Sequence, residues 1–249
     1  MLIGIHRKEP IMPRQPRIDL PSIPQHIVQR GNDRQPTFFA DADWLRYLTD
    51  LNEIALRDGC HVHAYVLMTN HVHLLVTPTE RGQVAHVMQS LGRRYVRYIN
   101  DRYHRTGTLW EGRYKACAVQ DSTHVLRCYR YIELNPVRAK MAADPGDYRW
   151  SSYPANAFGR HDSLIHPHAD YLGLAADPEQ RMAAYRELVM EHIDPMELDA
   201  IREHLQRQHA YGTDRFREMI ERQLGRRAGP VKIGRPPKAD RIHHVKSAL

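Results

Sequence analysis

Three cysteines in 249 residues, Cys60, Cys117 and Cys128, are too few and too irregularly spaced for a disulfide framework or a zinc-finger ligand set. They suit a reducing cytoplasm. No apolar run approaches the roughly 18 residues of a membrane span, and the first residues lack the apolar core of a secretory signal, so a soluble protein without a membrane partner is expected. Net positive charge is also scarce over most of the chain. Of the formal net charge of +7, about six belong to residues 226–249, and the other 225 residues are nearly neutral. Within that remainder, residues 71–140 hold twelve Lys/Arg against five Asp/Glu, whereas residues 156–225 hold eight against thirteen. A polyanion suits both basic regions, because neutralising phosphates releases condensed counterions.

Hydrophobic residues make up 42%, enough to fill a core. Residues 1–22 carry four prolines and no period, which predicts an irregular lead-in, and Met12 is an alternative start. "HIVQRGN" (26–32) alternates and ends on a Gly-Asn turn signal, as a strand does. From Asp43 to Arg57, Leu45, Leu48, Leu51, Ile54, Ala55 and Leu56 recur at helical spacing before Asp58-Gly59. Two strands joined tightly at Thr69-Asn70 follow, then an Arg- and Tyr-rich helix from Gln83, a short strand at 114–119, and a helix from Ser122 or Thr123.

The order β-α-β-β-α-β-α predicts an α+β, ferredoxin-like domain with an antiparallel sheet over residues 13–155. A C-terminal helical appendage is expected at 156–225. Its helices announce themselves by Asp177-Pro178, Asp194-Pro195 and Thr213-Asp214, the last closing at Gly225. Residues 226–249 combine Gly, Pro and charge without a period and read as a disordered basic tail. "GRPPK" at 234–238 is similar to the core of a minor-groove hook, but a lone copy is weak and a plain basic tail is the better reading.

Three His-x-His pairs occur: His61/His63, His71/His73 and His166/His168. In a strand, residues i and i+2 share a face, so His71 and His73 present two imidazoles together while Val72 anchors the strand from the other side. His61 and His63 share that local geometry but fall about 10 Å from His73, and the third pair sits in a loop. "CYRYIELNPVRA" (128–139) sets Tyr131 and Asn135 one helical turn apart. Packed across the sheet, that helix face meets His71 and His73. Two imidazoles and an amide oxygen then suit Mg²⁺ or Mn²⁺ with positions open to phosphate. Pro136 directs a kink at this point. Glu133, off the same face, is expected to be solvated or paired with arginine.

His-Val-His followed by "LLV", with "GTLWEGRYKA", "YIELNPVRA" and "YRWSSY", resembles the single-tyrosine HUH transposases of bacterial insertion sequences, most closely the REP-associated tyrosine transposases. The resemblance runs from about residue 13 to 158. It implies a cytoplasmic, nucleoid-associated nuclease and strand transferase, monomeric or homodimeric. Such an enzyme acts on single-stranded DNA bearing a REP-like hairpin and forms a covalent 5′-phosphotyrosine. By position, Tyr131 matches the nucleophile, and His71, His73 and Asn135 match the ligands of a Mg²⁺ or Mn²⁺ ion. A phenol is a poor nucleophile at neutral pH, and a nearby cation favours its phenolate. Arg30 and Arg34, with Arg93, Arg94, Arg97 and Arg102, are the candidate DNA contacts, and Tyr95 and Tyr98 are core or base-stacking residues. Two other classes remain: a catalytically silent DNA-binding regulator with this fold, and a metal phosphodiesterase that needs no tyrosine.

Overall fold

The computed structural model describes residues 17–229. Strand β1 (Gln25–Arg30) leads to α1 (Asp41–Arg57), then the hairpin of β2 (Cys60–Leu67) and β3 (His71–Pro78), α2 (Gln83–Tyr103), β4 (Lys115–Ala118) and α3 (Thr123–Glu133). The strands form one antiparallel sheet ordered β2-β3-β1-β4. This is the ferredoxin-like α+β arrangement that the element order predicts.

The pleat divides β3 cleanly, because alternate side chains leave a strand on opposite sides. Register pairs His71 with Arg30, His73 with Val28 and Leu75 with His26, so these six share one face. Val72, Leu74 and Val76 occupy the other. Helices α1 and α2 cover the second face, where Leu51, Val84 and Val87 close over Ile27, Leu74 and Val76. On α1 the buried stripe runs through Tyr47, Leu51, Ile54 and Ala55, while Leu45 and Leu56 of the expected apolar set are 53% and 83% exposed. Each residue turns the helix by about 100°, which carries those two leucines round to solvent. Asp43 caps this helix, accepting from the backbone N–H groups of Phe39 and Ala40, and also receives the Tyr98 and Tyr103 hydroxyls of α2.

Beyond α3 come α4 (Asn135–Arg138), α5 (Tyr153–Phe158), α6 (Ala169–Leu172), α7 (Pro178–Met190), α8 (Pro195–Arg207) and α9 (Asp214–Leu224). The caps read from the sequence form. Asp177, Asp194 and Thr213 accept from the N–H groups of Gln180, Met196 and Phe216, and Gly225 closes α9 at φ 64°. Tyr171, Tyr185, Val189, Ile201 and Leu205 join the same apolar cluster as the sheet, so these helices share its core. Of the basic tail, Ala228 packs with Ile18, Leu20 and Phe216, and its carbonyl accepts the Ala210 N–H. "GRPPK" and Met12 lie outside the described residues.

Glu133 departs from expectation. A helical wheel shows which way a side chain leaves α3 but not what covers that side, and here α5 and α7 do. The carboxylate is fully buried and receives hydrogen bonds from the hydroxyls of Ser152 and Tyr185 and, at 2.7 Å, from the Asn156 amide. Burial outweighs the three donors and pushes the carboxyl up to about 7. A raised carboxylate pKa stabilises the fold fully below the ordinary glutamate range and loses that contribution as pH rises through the folded value. Wild-type protein is therefore expected to lose stability between pH 5 and pH 8, by an amount on the order of 3 kcal/mol attributable to this group. Urea denaturation at both pH values checks it: Glu133→Gln should flatten this component, and an unchanged pH slope in the variant refutes the assignment.

Candidate active site

The face of β3 under α3 gathers four rings from three elements. His73 is 4% exposed, its ring centroid lying 5.2 Å from His71, 5.1 Å from His26 of β1 and 5.7 Å from Tyr131 of α3. His26 is itself 5.4 Å from Tyr131. Tyr131 thus stands over His73 and His26.

Each histidine of the pair is oriented by a neighbour. Asn70, in the β2–β3 turn, gives its amide N–H to the Arg34 carbonyl at 2.9 Å, and its Oδ1 lies 2.7 Å from His71 Nδ1. An amide oxygen only accepts, so His71 Nδ1 carries the proton and Nε2 keeps its lone pair. His73 Nδ1 shares a 2.9 Å hydrogen bond with His26 Nε2. All three imidazoles are held neutral. Burial pushes His26 down to about 3 and His71 to about 4, and takes His73 well below the usual histidine range, with His26, His71 and nearby arginines adding to the effect. Neutral imidazole is the form that ligates metal.

Tyr131 and Asn135 do not share an unbroken helix. Helix α3 ends at Glu133 and α4 starts at Asn135; Leu134 between them still gives its N–H to the Arg130 carbonyl and accepts the Arg138 N–H, while Pro136 has no N–H to give. Arg138 closes the break: its guanidinium donates to the Tyr131 carbonyl and lies 4.5 Å over the Tyr131 ring. The Asn135 amide nitrogen is buried without a hydrogen-bond partner. A half-turn of that amide exchanges its oxygen and nitrogen, so the position suits either an oxygen toward a cation or an N–H toward a phosphate. The donor set fits a divalent ion.

The predicted arginines separate. Arg30 lies opposite His71 and lines a cavity of about 470 Å³ with Arg113 and Lys115. Arg34 is exposed in the turn that receives Asn70. Arg93 and Arg97 line a groove of about 750 Å³ with Trp110 and Tyr114, across the sheet from the histidines. Arg94 is engaged by Glu53 at 2.8 Å and by Asp50 at 3.7 Å, and Arg102 approaches Asp43 at 3.7 Å. Tyr95 is core, its hydroxyl donating to the Thr37 carbonyl.

The remaining histidine pairs meet each other. The 166/168 pair is fixed after all, since Ile165 bridges to Val62 and the His166 N–H donates to the Val62 carbonyl. The His166 ring stacks on His61 at 4.0 Å, and His168 stands 5.0 Å from His63. Among the described residues Asp121, His168 and Asp170 form a group able to hold a metal ion, their ligand atoms all within 4.8 Å of one another. His168 Nδ1 already accepts the Asp170 N–H, so the neutral ring keeps its proton on Nε2, where a ligand needs a lone pair. This group adjoins Tyr129, whose hydroxyl accepts the His168 N–H, and Tyr129 leaves α3 about 200° round from Tyr131.

His26 and Arg138 were not anticipated as parts of the site. His26 stands alone in its strand, and only the cross-strand register reveals it. Arg138 closes one helical turn after Leu134, where spacing to a carbonyl rather than to a side chain is the signal.

Residues 20–135 match the model of the family described as "Transposase IS200 like". A solved structure described as a REP-associated tyrosine transposase bound to a REP hairpin is similar in fold: TM-score 0.51, 15% identity, covering 63% of this chain and 93% of that one. A putative transposase from Deinococcus radiodurans R1 is 22% identical over 47% of this chain and 84% of its own, with TM-score 0.32. No curated protein matches the chain. No helix among the described residues is long and apolar enough to cross a membrane.

Replacing Arg138 by Met keeps the aliphatic stem and removes the donor to the Tyr131 carbonyl. The expected cost is about 2 kcal/mol, the price of leaving a charge-assisted hydrogen bond unmade. Equilibrium denaturation of the variant measures it, and a cost below the error of the method removes Arg138 as the clasp of the break.

Proposed function

We propose, from the match of residues 20–135 to the model of IS200-like transposases, a metal-dependent endonuclease and strand transferase for single-stranded DNA beside a REP-like hairpin. The observation that carries this reading is the phenol of Tyr131 standing, at 5.7 Å between ring centroids, over a histidine that belongs to a different element. Such a meeting has no packing necessity, since an apolar residue at either position fills the same space.

In this reading His71 Nε2, His73 Nε2 and the Asn135 amide oxygen hold Mg²⁺ or Mn²⁺. When bound, the ion supplies Lewis-acid polarisation of the scissile phosphate. His26 accepts the Nδ1 proton of His73, and Asn70 that of His71, so both rings are locked in the ligating tautomer. Tyr131 Oη attacks phosphorus. The Oη–P bond forms, the P–O3′ bond breaks, and the phenolic proton passes to the leaving 3′ oxygen. The 5′-phosphotyrosine retains the diester bond energy, so a second 3′-OH can reverse the step on another strand.

The DNA track follows the cavities. Arg30, with Arg113 and Lys115, receives phosphates beside the histidines, and Arg93 and Arg97 do so in the groove lined by Trp110 and Tyr114. Arg17, Arg113 and Tyr114 border both spaces. Arg34 adds charge at the turn, and Arg94 and Arg102 serve from the far side of α2. The hairpin as substrate takes support from the solved relative of like fold bound to one. Its setting is the cytoplasm, at the nucleoid.

Incubation with Mn²⁺ and an end-labelled hairpin oligonucleotide should leave label on the denatured protein. Tyr131→Phe lacks Oη and should capture none; a variant that still captures label has another nucleophile, and a wild type that binds without capture is the silent regulator. His26→Leu should raise the Mn²⁺ needed for half-maximal capture by about 10- to 100-fold at unchanged hairpin affinity. An unaltered Mn²⁺ requirement excludes His26 from orienting a ligand.

A further inference from the structure

Helix α8 (Pro195–Arg207) lies beyond the residues that the family match spans, yet it walls the space next to the candidate active site. It packs on β1 and β4 and buries Ile201 and Leu205 in the common core. Arg127 of α3 pairs with Glu197 at 3.4 Å near its start, and Lys115 of β4 donates to Gln206 near its end, so the helix is fastened at both ends. Gln206 and Arg207 line the cavity of about 470 Å³ that Arg30 enters. Cross-strand register ties this cavity to the histidines. Val28 lies opposite His73 on one side and Lys115 on the other, and Arg30 lies opposite His71. Val28, Arg30 and Lys115 all line the cavity, which therefore begins one strand spacing, about 5 Å, from the histidine pair.

The cavity is strongly cationic. Its lining brings together Arg17, Arg30, Arg113, Lys115 and Arg207 against the one carboxylate of Glu111. Among the described residues, only Arg207 of these five has an ion pair, with Glu203 of its own helix at 3.2 Å. The two side chains are 57% and 55% exposed, and an ion pair so exposed contributes little, so a phosphate can take the place of Glu203. The larger depression between α1 and α2, about 990 Å³, also has four arginines, but Asp43, Asp50, Glu53 and Asp101 pair with all of them. A helix C-terminus by itself disfavours an anion, so the attraction at the end of α8 rests on the side chains.

We propose that the C-terminal helices supply part of the substrate site: the single strand next to the scissile phosphate passes between the sheet and the end of α8, where Arg207 contacts its backbone. The inference rests on the nuclease reading for its substrate and extends the binding surface to a segment outside the family match. Each phosphate that enters releases condensed counterions, which makes binding there salt-dependent.

The test measures binding of the full chain, without metal so that no cleavage intervenes, to a hairpin oligonucleotide with a single-stranded extension at its 5′ end, at its 3′ end, or at neither. Wild type should bind one of the extended hairpins about tenfold more tightly than the bare one. Arg207→Gln should weaken that binding about threefold to tenfold at low salt and lower the slope of log affinity against log salt by about 0.7, the share of one phosphate on a single strand. Its affinity for the bare hairpin should be unchanged. Arg207→Lys keeps the charge and should recover most of the loss, and Glu203→Gln, which removes the competing carboxylate, should bind the extended hairpin at least as tightly as wild type. Thermal melting of these variants should match the wild type, since both side chains are exposed. An equal loss on bare and extended hairpins, an unchanged salt slope, or a wild type that gains nothing from either extension overturns the proposal. Covalent capture with Mn²⁺ is read separately: a wild type that binds the extension through Arg207 but captures no label overturns the nuclease reading alone.

Discussion

The two-residue period of β3 is the constraint from which the site follows. Val72, Leu74 and Val76 must enter the core under α1 and α2, and the pleat then delivers His71 and His73 to the opposite face. A slip of one residue would bury the imidazoles among leucines and turn the valines toward α3. Apolar burial worth roughly 1.5–3 kcal/mol for each large aliphatic side chain therefore enforces the register on which the chemistry depends. Pairing with β1 extends the same face, adding His26 and Arg30 without further specification.

Much of this was legible in the sequence, and for physical reasons. Strand alternation and helix caps act over a few residues, so β2, β3 and the starts of α7, α8 and α9 could be placed from Cys60, His71, Asp177, Asp194 and Thr213. The juxtaposition of Tyr131 with His73 was legible only through the element order and the family resemblance. What escaped were contacts made across elements. His26 is a lone histidine until register sets it beside His73, Glu133 is an ordinary helix carboxylate until α5 and α7 cover it, and the 166/168 pair is loose until Ile165 joins β2. On α1, periodicity marked an apolar face wider than the neighbours could cover, which left Leu45 and Leu56 in solvent.

Tyr131 and Glu133 divide α3 between two environments. On one side the phenol meets neutral imidazoles and the Arg138 guanidinium; on the other, the carboxylate is tied to Ser152, Asn156 and Tyr185. The C-terminal helices do more than shield apolar surface, since they set the roll of α3 about its own axis. The break at Leu134 then lets Asn135 depart from the helical path while Arg138 restrains the carbonyl left behind.

Tyr131 meets the histidines of its own polypeptide. Under the proposed nuclease reading each chain would thus carry one point of attachment and hold one severed end at a time, so that exchanging two ends would demand either successive turnovers by one molecule or the meeting of two loaded ones.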